Sequence, residues 1–182
     1  MNRLFSAALA AAFAAGCGTM GMGAGTSGGS DGARAVAALA PTKGNTAAGT
    51  VTFTQQGDRV LVNARVTGLK PNADHGFHVH EKGDCTSKDD GTATGGHFNP
   101  SGKAHGHGGS APEHHAGDMP NLKADASGAA SASFSLSTLS VGAGANNVIG
   151  KGLIVHKDPD DYKTQPTGNA GARIACAVIN KG

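Results

Sequence analysis

His78 and His80, separated only by Val79, are of a type and spacing that could hold a metal. Successive side chains of a strand alternate between faces. On a strand these two imidazoles therefore point the same way, about 7 Å apart along the backbone, while Phe77 and Val79 point the other way. One face could grip an ion while the other packs a core. Neutral imidazole is the commonest metal ligand and suits zinc and copper, so the pair would be half of a four-coordinate site. Alone, a His-x-His pattern fits two exposed imidazoles on a polar face equally well.

The remaining histidines tip that balance, since all nine in the chain lie between His75 and His156. His97 sits in Gly96-His97-Phe98-Asn99-Pro100, His105 follows Lys103-Ala104, His115 stands three residues before Asp118, and His156 ends the apolar run Leu153-Ile154-Val155. His78-Val79-His80, the Gly96–Pro100 segment, His115-Ala116-Gly117-Asp118 and Gly168-Asn169-Ala170-Gly171-Ala172-Arg173-Ile174-Ala175-Cys176 together resemble the copper/zinc superoxide dismutase family. The resemblance runs from about Ala35 to the C-terminus.

The resemblance implies copper on His78, His80, His97 and His156, and zinc on His97, His105, His115 and Asp118, with His97 bridging the two ions. It implies that Asp160, four residues after His156, links a copper histidine to a zinc histidine. It also sets Arg173 beside the copper, where a permanently charged guanidinium would attract and orient the superoxide anion. The implied activity is disproportionation of superoxide to oxygen and hydrogen peroxide by copper redox cycling, with protons delivered through His97 and water. His107 and His114, the neighbours of His105 and His115, are expected as extra surface imidazoles. The alternative is a non-catalytic periplasmic copper/zinc-binding module, but storage needs no anion-guiding arginine. A zinc hydrolase would need an open zinc position, and three histidines with one aspartate leave none.

Strands must position these groups. Val51 and Phe53 alternate with threonines, Val60 to Val66 alternate with polar residues across a Gly57-Asp58 step, and Ala130 to Leu136 alternate with serines. His75 shares the Phe77 and Val79 side and is expected to be a buried structural histidine. Residues Glu81 to about Leu122 have no period, and Lys157 to Gly171 form a second irregular loop. Loops of that length are usually functional or disordered. The expected fold is all-β, an eight-stranded Greek-key flattened barrel or sandwich with two long functional loops.

Thirty glycines, seven prolines and few aromatics suit short strands joined by turns, and a formal net charge of +2 shows no basic footprint for nucleic acid. Residues 1–16 read as a signal peptide: a cationic start and an apolar run too short to span a bilayer. Ala14-Ala15-Gly16-Cys17 is similar to a bacterial lipoprotein cleavage box, with alanine where that box most often has leucine. A lipidated Cys17 would account for the odd one of three cysteines and leave Cys85 and Cys176 to form a disulfide. Residues 17–33, rich in glycine and serine, are expected to be a flexible tether, with the enzyme domain at 34–182. The expected location is the periplasm, on a membrane through the lipid anchor alone, and the resemblance leaves room for a homodimer.

Overall fold

The computed structural model describes Met1, residues 32–87 and residues 89–182, so Cys17, nearly all of the expected signal segment and most of the expected tether lie outside the described residues. Among the described residues nine strands follow in chain order: β1 (Arg34–Pro41), β2 (Ala48–Gln56), β3 (Arg59–Thr67), β4 (Asp74–His75), β5 (Phe77–His80), β6 (Leu122–Lys123), β7 (Ala130–Leu136), β8 (Gly152–His156) and β9 (Arg173–Lys181). Seven form one antiparallel sheet in the order β5-β8-β9-β1-β2-β3-β7, and β4 pairs with β6. Among the described residues there is no α-helix, only a 3-10 turn at Thr92–Thr94. The chain is all-β, a curled half-barrel with non-sequential strand neighbours.

Nine strands stand among the described residues where eight were expected: the histidine strand is two, and Leu122–Lys123, at the end of the long loop, pairs with the first of them. Gly76 separates β4 from β5, and a Cβ there would come within 2.7 Å of the Ala170 side chain. The alternation elsewhere places Val51, Phe53, Val60, Val62, Ala64 and Val66 in the core with Phe77, Leu122, Leu136, Leu153 and Ile179. Burying each of the valine, leucine, isoleucine and phenylalanine side chains contributes about 1.5–3 kcal/mol. Ala132 and Phe134 of β7 are only half-buried. Backbone pairing starts ahead of Arg34: Gly32 N–H donates to Gln55 O at 3.0 Å and Gln55 N–H to Ala33 O at 2.8 Å.

β5 is an edge strand, and an unpaired edge leaves backbone groups unsatisfied. The loop between β5 and β6 satisfies them. Phe98 N–H donates to Val79 O at 2.8 Å, Val79 N–H to Gly117 O at 2.9 Å and Glu81 N–H to Gly96 O at 3.0 Å. A Cβ on Gly117 would overlap the Val79 carbonyl oxygen, so only glycine lets the loop lie this close. His97 and Asp118 are thereby carried to the strand that holds His78 and His80. The Cys85–Cys176 disulfide pairs the two cysteines left by the count, with Cα atoms 5.9 Å apart, and ties this loop to β9.

Candidate metal centre

His78 and His80 project from the same face of β5, and His156 comes from β8, which pairs with β5 through Phe77–Val155 and Val79–Leu153. A register irregularity between Val155 and His156 turns the histidine out of the regular ladder. His78, His80, His97 and His156 bring one ligand nitrogen each within 4.8 Å of one another, and all four are buried. A nitrogen each from His97, His105 and His115 and a carboxylate oxygen of Asp118 converge equally closely, and these four residues are buried too. His97 belongs to both groups.

Hydrogen bonding settles which nitrogen each ring offers, because a carbonyl or carboxylate can only accept. His80 Nδ1 donates to Gly95 O at 2.9 Å and His156 Nδ1 to Gly171 O at 3.1 Å. His78 Nε2 donates to Asp160 Oδ2 at 2.7 Å. The opposite nitrogens, His78 Nδ1, His80 Nε2 and His156 Nε2, are therefore bare lone pairs, and each is buried without a hydrogen-bond partner. His97 completes the set: its Nδ1 lies 2.8 Å from Asp118 Oδ1, and its Nε2 is buried and unpartnered. Four orphaned lone pairs converging in the interior would be costly unless a cation takes them, so the donor set fits a nitrogen-bound metal such as copper.

The second group is held by charge. Asp118 Oδ2 accepts from His115 N–H at 2.9 Å and Gly106 N–H at 3.0 Å. The same oxygen lies 3.1 Å from His105 Nδ1, while Oδ1 lies 3.3 Å from His115 Nδ1. Three imidazoles around one carboxylate are the closed donor set of structural zinc. Burial opposes the charge on Asp118, but hydrogen bonds from His105, His115 and His97 prevail and hold its carboxyl far below the ordinary range. Burial also works against protonating His105, yet Asp118 and Asp160 outweigh it and raise the imidazole to about 9. In the metal-free protein a proton thus sits where a cation would go. His97 goes the other way, lowered by burial to about 4 despite the Asp118 hydrogen bond.

Asp160 joins the two groups, its Oδ2 on His78 Nε2 and its Oδ1 2.9 Å from His105 Nε2. Hydrogen bonds of this kind fix ligand rings in place. Gly168, at φ +66°, closes over that link, and a Cβ there would overlap the Asp160 carboxylate. Arg173 starts β9 opposite His156 and donates to Gly91 O, Thr94 Oγ1 and Gly95 O. Gly95 O also accepts from His80, so one carbonyl joins the arginine to a ligand ring. His75 is buried as expected, with Nδ1 donating to His156 O at 2.9 Å.

His107 and His114 differ from the expectation of surface imidazoles. His114 is buried because its Nδ1 turns inward to donate to His115 O at 2.7 Å, and His107 is half-buried against the Tyr162 ring, with centroids 4.2 Å apart. Lys151 lies over the Phe98 ring and donates to Glu81 O. Residues that no spacing singled out also hold the site. Gln165 clamps the His105 backbone, accepting from its N–H at 2.8 Å and donating to its carbonyl at 2.9 Å. Asn121 makes the same double bond to the Asp160 backbone. Thr94 reaches Arg173 at 2.6 Å.

The antiparallel half-barrel and two buried ligand groups sharing one imidazole define a protein built to hold two metal ions side by side. Comparison with known proteins carries this to a family. The sequence profile described as copper/zinc superoxide dismutase (SODC) matches residues 47–179. The Cu-Zn superoxide dismutase of Paramecium bursaria Chlorella virus 1 is 45% identical over 137 residues, 72% of this chain and 71% of the viral protein. The crystal structure of the clock protein EA4 superposes with a TM-score of 0.75 at 38% identity, over 85% of this chain and 98% of that one. The chain belongs to the copper/zinc superoxide dismutase family. It is a superoxide dismutase that uses copper and zinc, and the reading as a non-catalytic metal buffer is not favoured.

Proposed function

We propose that copper is held by His78, His80, His97 and His156, zinc by His97, His105, His115 and Asp118, and that His97 bridges them. The observation that carries this is the convergence of four buried, unpartnered imidazole nitrogens, one of them on a ring whose other nitrogen faces Asp118. When bound, copper supplies one-electron chemistry, so that two superoxide anions and two protons become one oxygen and one hydrogen peroxide. His97 would hold a proton at Nε2, the buried nitrogen without a partner, whenever no cation takes that lone pair, and could pass it to a bound anion. Asp160 keeps His78 and His105 in register. Arg173 attracts the anion and orients it beside His80 and His156, whose protonated forms it opposes electrostatically.

Reversing the charge at Arg173 tests this reading of the anion path. Arg173→Glu should lower kcat/KM by about 10- to 1000-fold and flatten or reverse its decline with ionic strength. An unchanged rate and salt slope in a variant with full copper content would contradict it.

The same reading takes the protein to be exported to the periplasm and anchored through lipidated Cys17, on the strength of the Ala-Ala-Gly-Cys box and the odd cysteine count. Cys17→Ser should then release the protein from the membrane fraction, and an unshifted fractionation would count against the anchor. Among the described residues Met1 is the sole exposed large hydrophobic side chain, so a homodimer would have to join through polar or half-buried surface.

A further inference from the structure

An arginine orients an anion only if its plane is fixed, and the contacts around Arg173 show what fixes it. We propose that Thr94 is a positioning residue for Arg173, its hydroxyl orienting the guanidinium so that one edge stays free for a small anion. The inference rests on the anion-guiding reading of Arg173 given above.

Thr94 ends the 3-10 turn Thr92–Thr94 and is fully buried. A hydroxyl has one proton and two lone pairs. That proton goes to Gly91 O at 2.9 Å, so toward Arg173 the oxygen can only accept, and Arg173 Nη1 donates to it at 2.6 Å. Nη1 donates its other proton to Gly91 O at 2.9 Å, and Nη2 donates to Gly95 O at 2.7 Å. The turn thus grips the Nη1 end of the plane. Nε–H and the second Nη2 hydrogen are left, the pair that forms a fork to two atoms of an anion.

The threonine methyl explains why the hydroxyl points where it does. A Cβ built on Gly152 of β8 would lie 2.9 Å from Thr94 Cγ2, so the methyl is wedged against that glycine backbone. Lys82 N–H donates to Thr94 O at 3.0 Å and fixes the main chain. With backbone and methyl both held, χ1 has one setting, and that setting aims the oxygen at Arg173. Losing the hydroxyl would leave the guanidinium charged but loosely oriented. Long-range attraction would survive and close docking would weaken.

Azide titration of the copper- and zinc-loaded protein separates these effects. Thr94→Val, which keeps the shape and removes the oxygen, should weaken azide binding about threefold to tenfold, and Thr94→Ser should restore it to within about twofold. The ionic-strength slope of kcat/KM should be unchanged in both, whereas Arg173→Gln should weaken azide further and flatten the slope. Unchanged azide affinity in Thr94→Val, with Arg173→Gln impaired, overturns the role of Thr94 alone. Unchanged affinity in both variants overturns the reading of Arg173 and this inference with it. Should Thr94→Val fail to fold or to load metal, Thr94→Ala decides instead in the same titration: weaker azide binding at an unchanged ionic-strength slope supports the clamp, and unchanged azide affinity overturns it.

Discussion

His78, His80 and His156 stand on two paired strands, whereas His105, His115 and Asp118 stand on the long loop between β5 and β6. In the first group each ring is locked by one hydrogen bond to an acceptor, and burial lowers the pKa of all three imidazoles, leaving neutral nitrogens. In the second the organising element is a carboxylate that gathers backbone N–H groups and rings around itself. The strand-borne rings are oriented by bonds from the nitrogens that face away from the metal position, bonds a cation would not replace. The loop is held by charges and polar contacts that a cation would partly replace, so the two halves should respond differently to the same insult.

The largest difference should come from Asp118→Asn. Both carboxylate oxygens accept from N–H groups, so an amide must turn its own NH2 against one of them, and the charge is lost besides. Zinc affinity should fall by more than about a hundredfold while copper affinity changes by less than about tenfold. Competition with chelators of known affinity measures both. Equal losses would show that the halves are not independently held.

Protons sharpen the comparison on a smaller scale. His105 is raised to about 9 in the metal-free protein, so near pH 7 zinc must expel one proton to bind. Zinc affinity should then rise about tenfold per pH unit up to that value, whereas copper-only loading should be nearly flat from pH 6 to 9 because its rings are already neutral. Calorimetry in buffers of different ionisation enthalpy counts the protons, and equal release for the two metals would contradict the distinction. The sign for the fold follows from the same group. A raised pKa contributes stability fully below 6.5 that is lost as pH rises through about 9, so the metal-free protein should weaken across that window.

The strand-borne half was legible in the amino-acid order because a period of two tells which side chains share a face, as with His78 and His80 or Val60 to Val66. His115 and Asp118 were legible as a spacing that one turn can present. The β4–β5 break was not, since it depends on Ala170 packing over Gly76 from a distant loop. Thr94, Asn121 and Gln165 were missed for a related reason. Their bonds to Arg173, Asp160 and His105 span 79, 39 and 60 residues, between segments without any period to betray which face meets which. His114 was expected at the surface as the extra neighbour of His115, and its bond to that neighbour's carbonyl turns it inward instead.

Sharing of His97 is what joins the two halves, and cobalt in the zinc position tests it most directly. A neutral imidazole has one free lone pair, so binding two cations requires loss of its last proton, and the resulting imidazolate couples them electronically. With copper and cobalt both bound, a bridging His97 predicts that the electron paramagnetic resonance signal of copper collapses through magnetic coupling to cobalt. An unaltered copper signal at full occupancy of both sites would contradict the bridge.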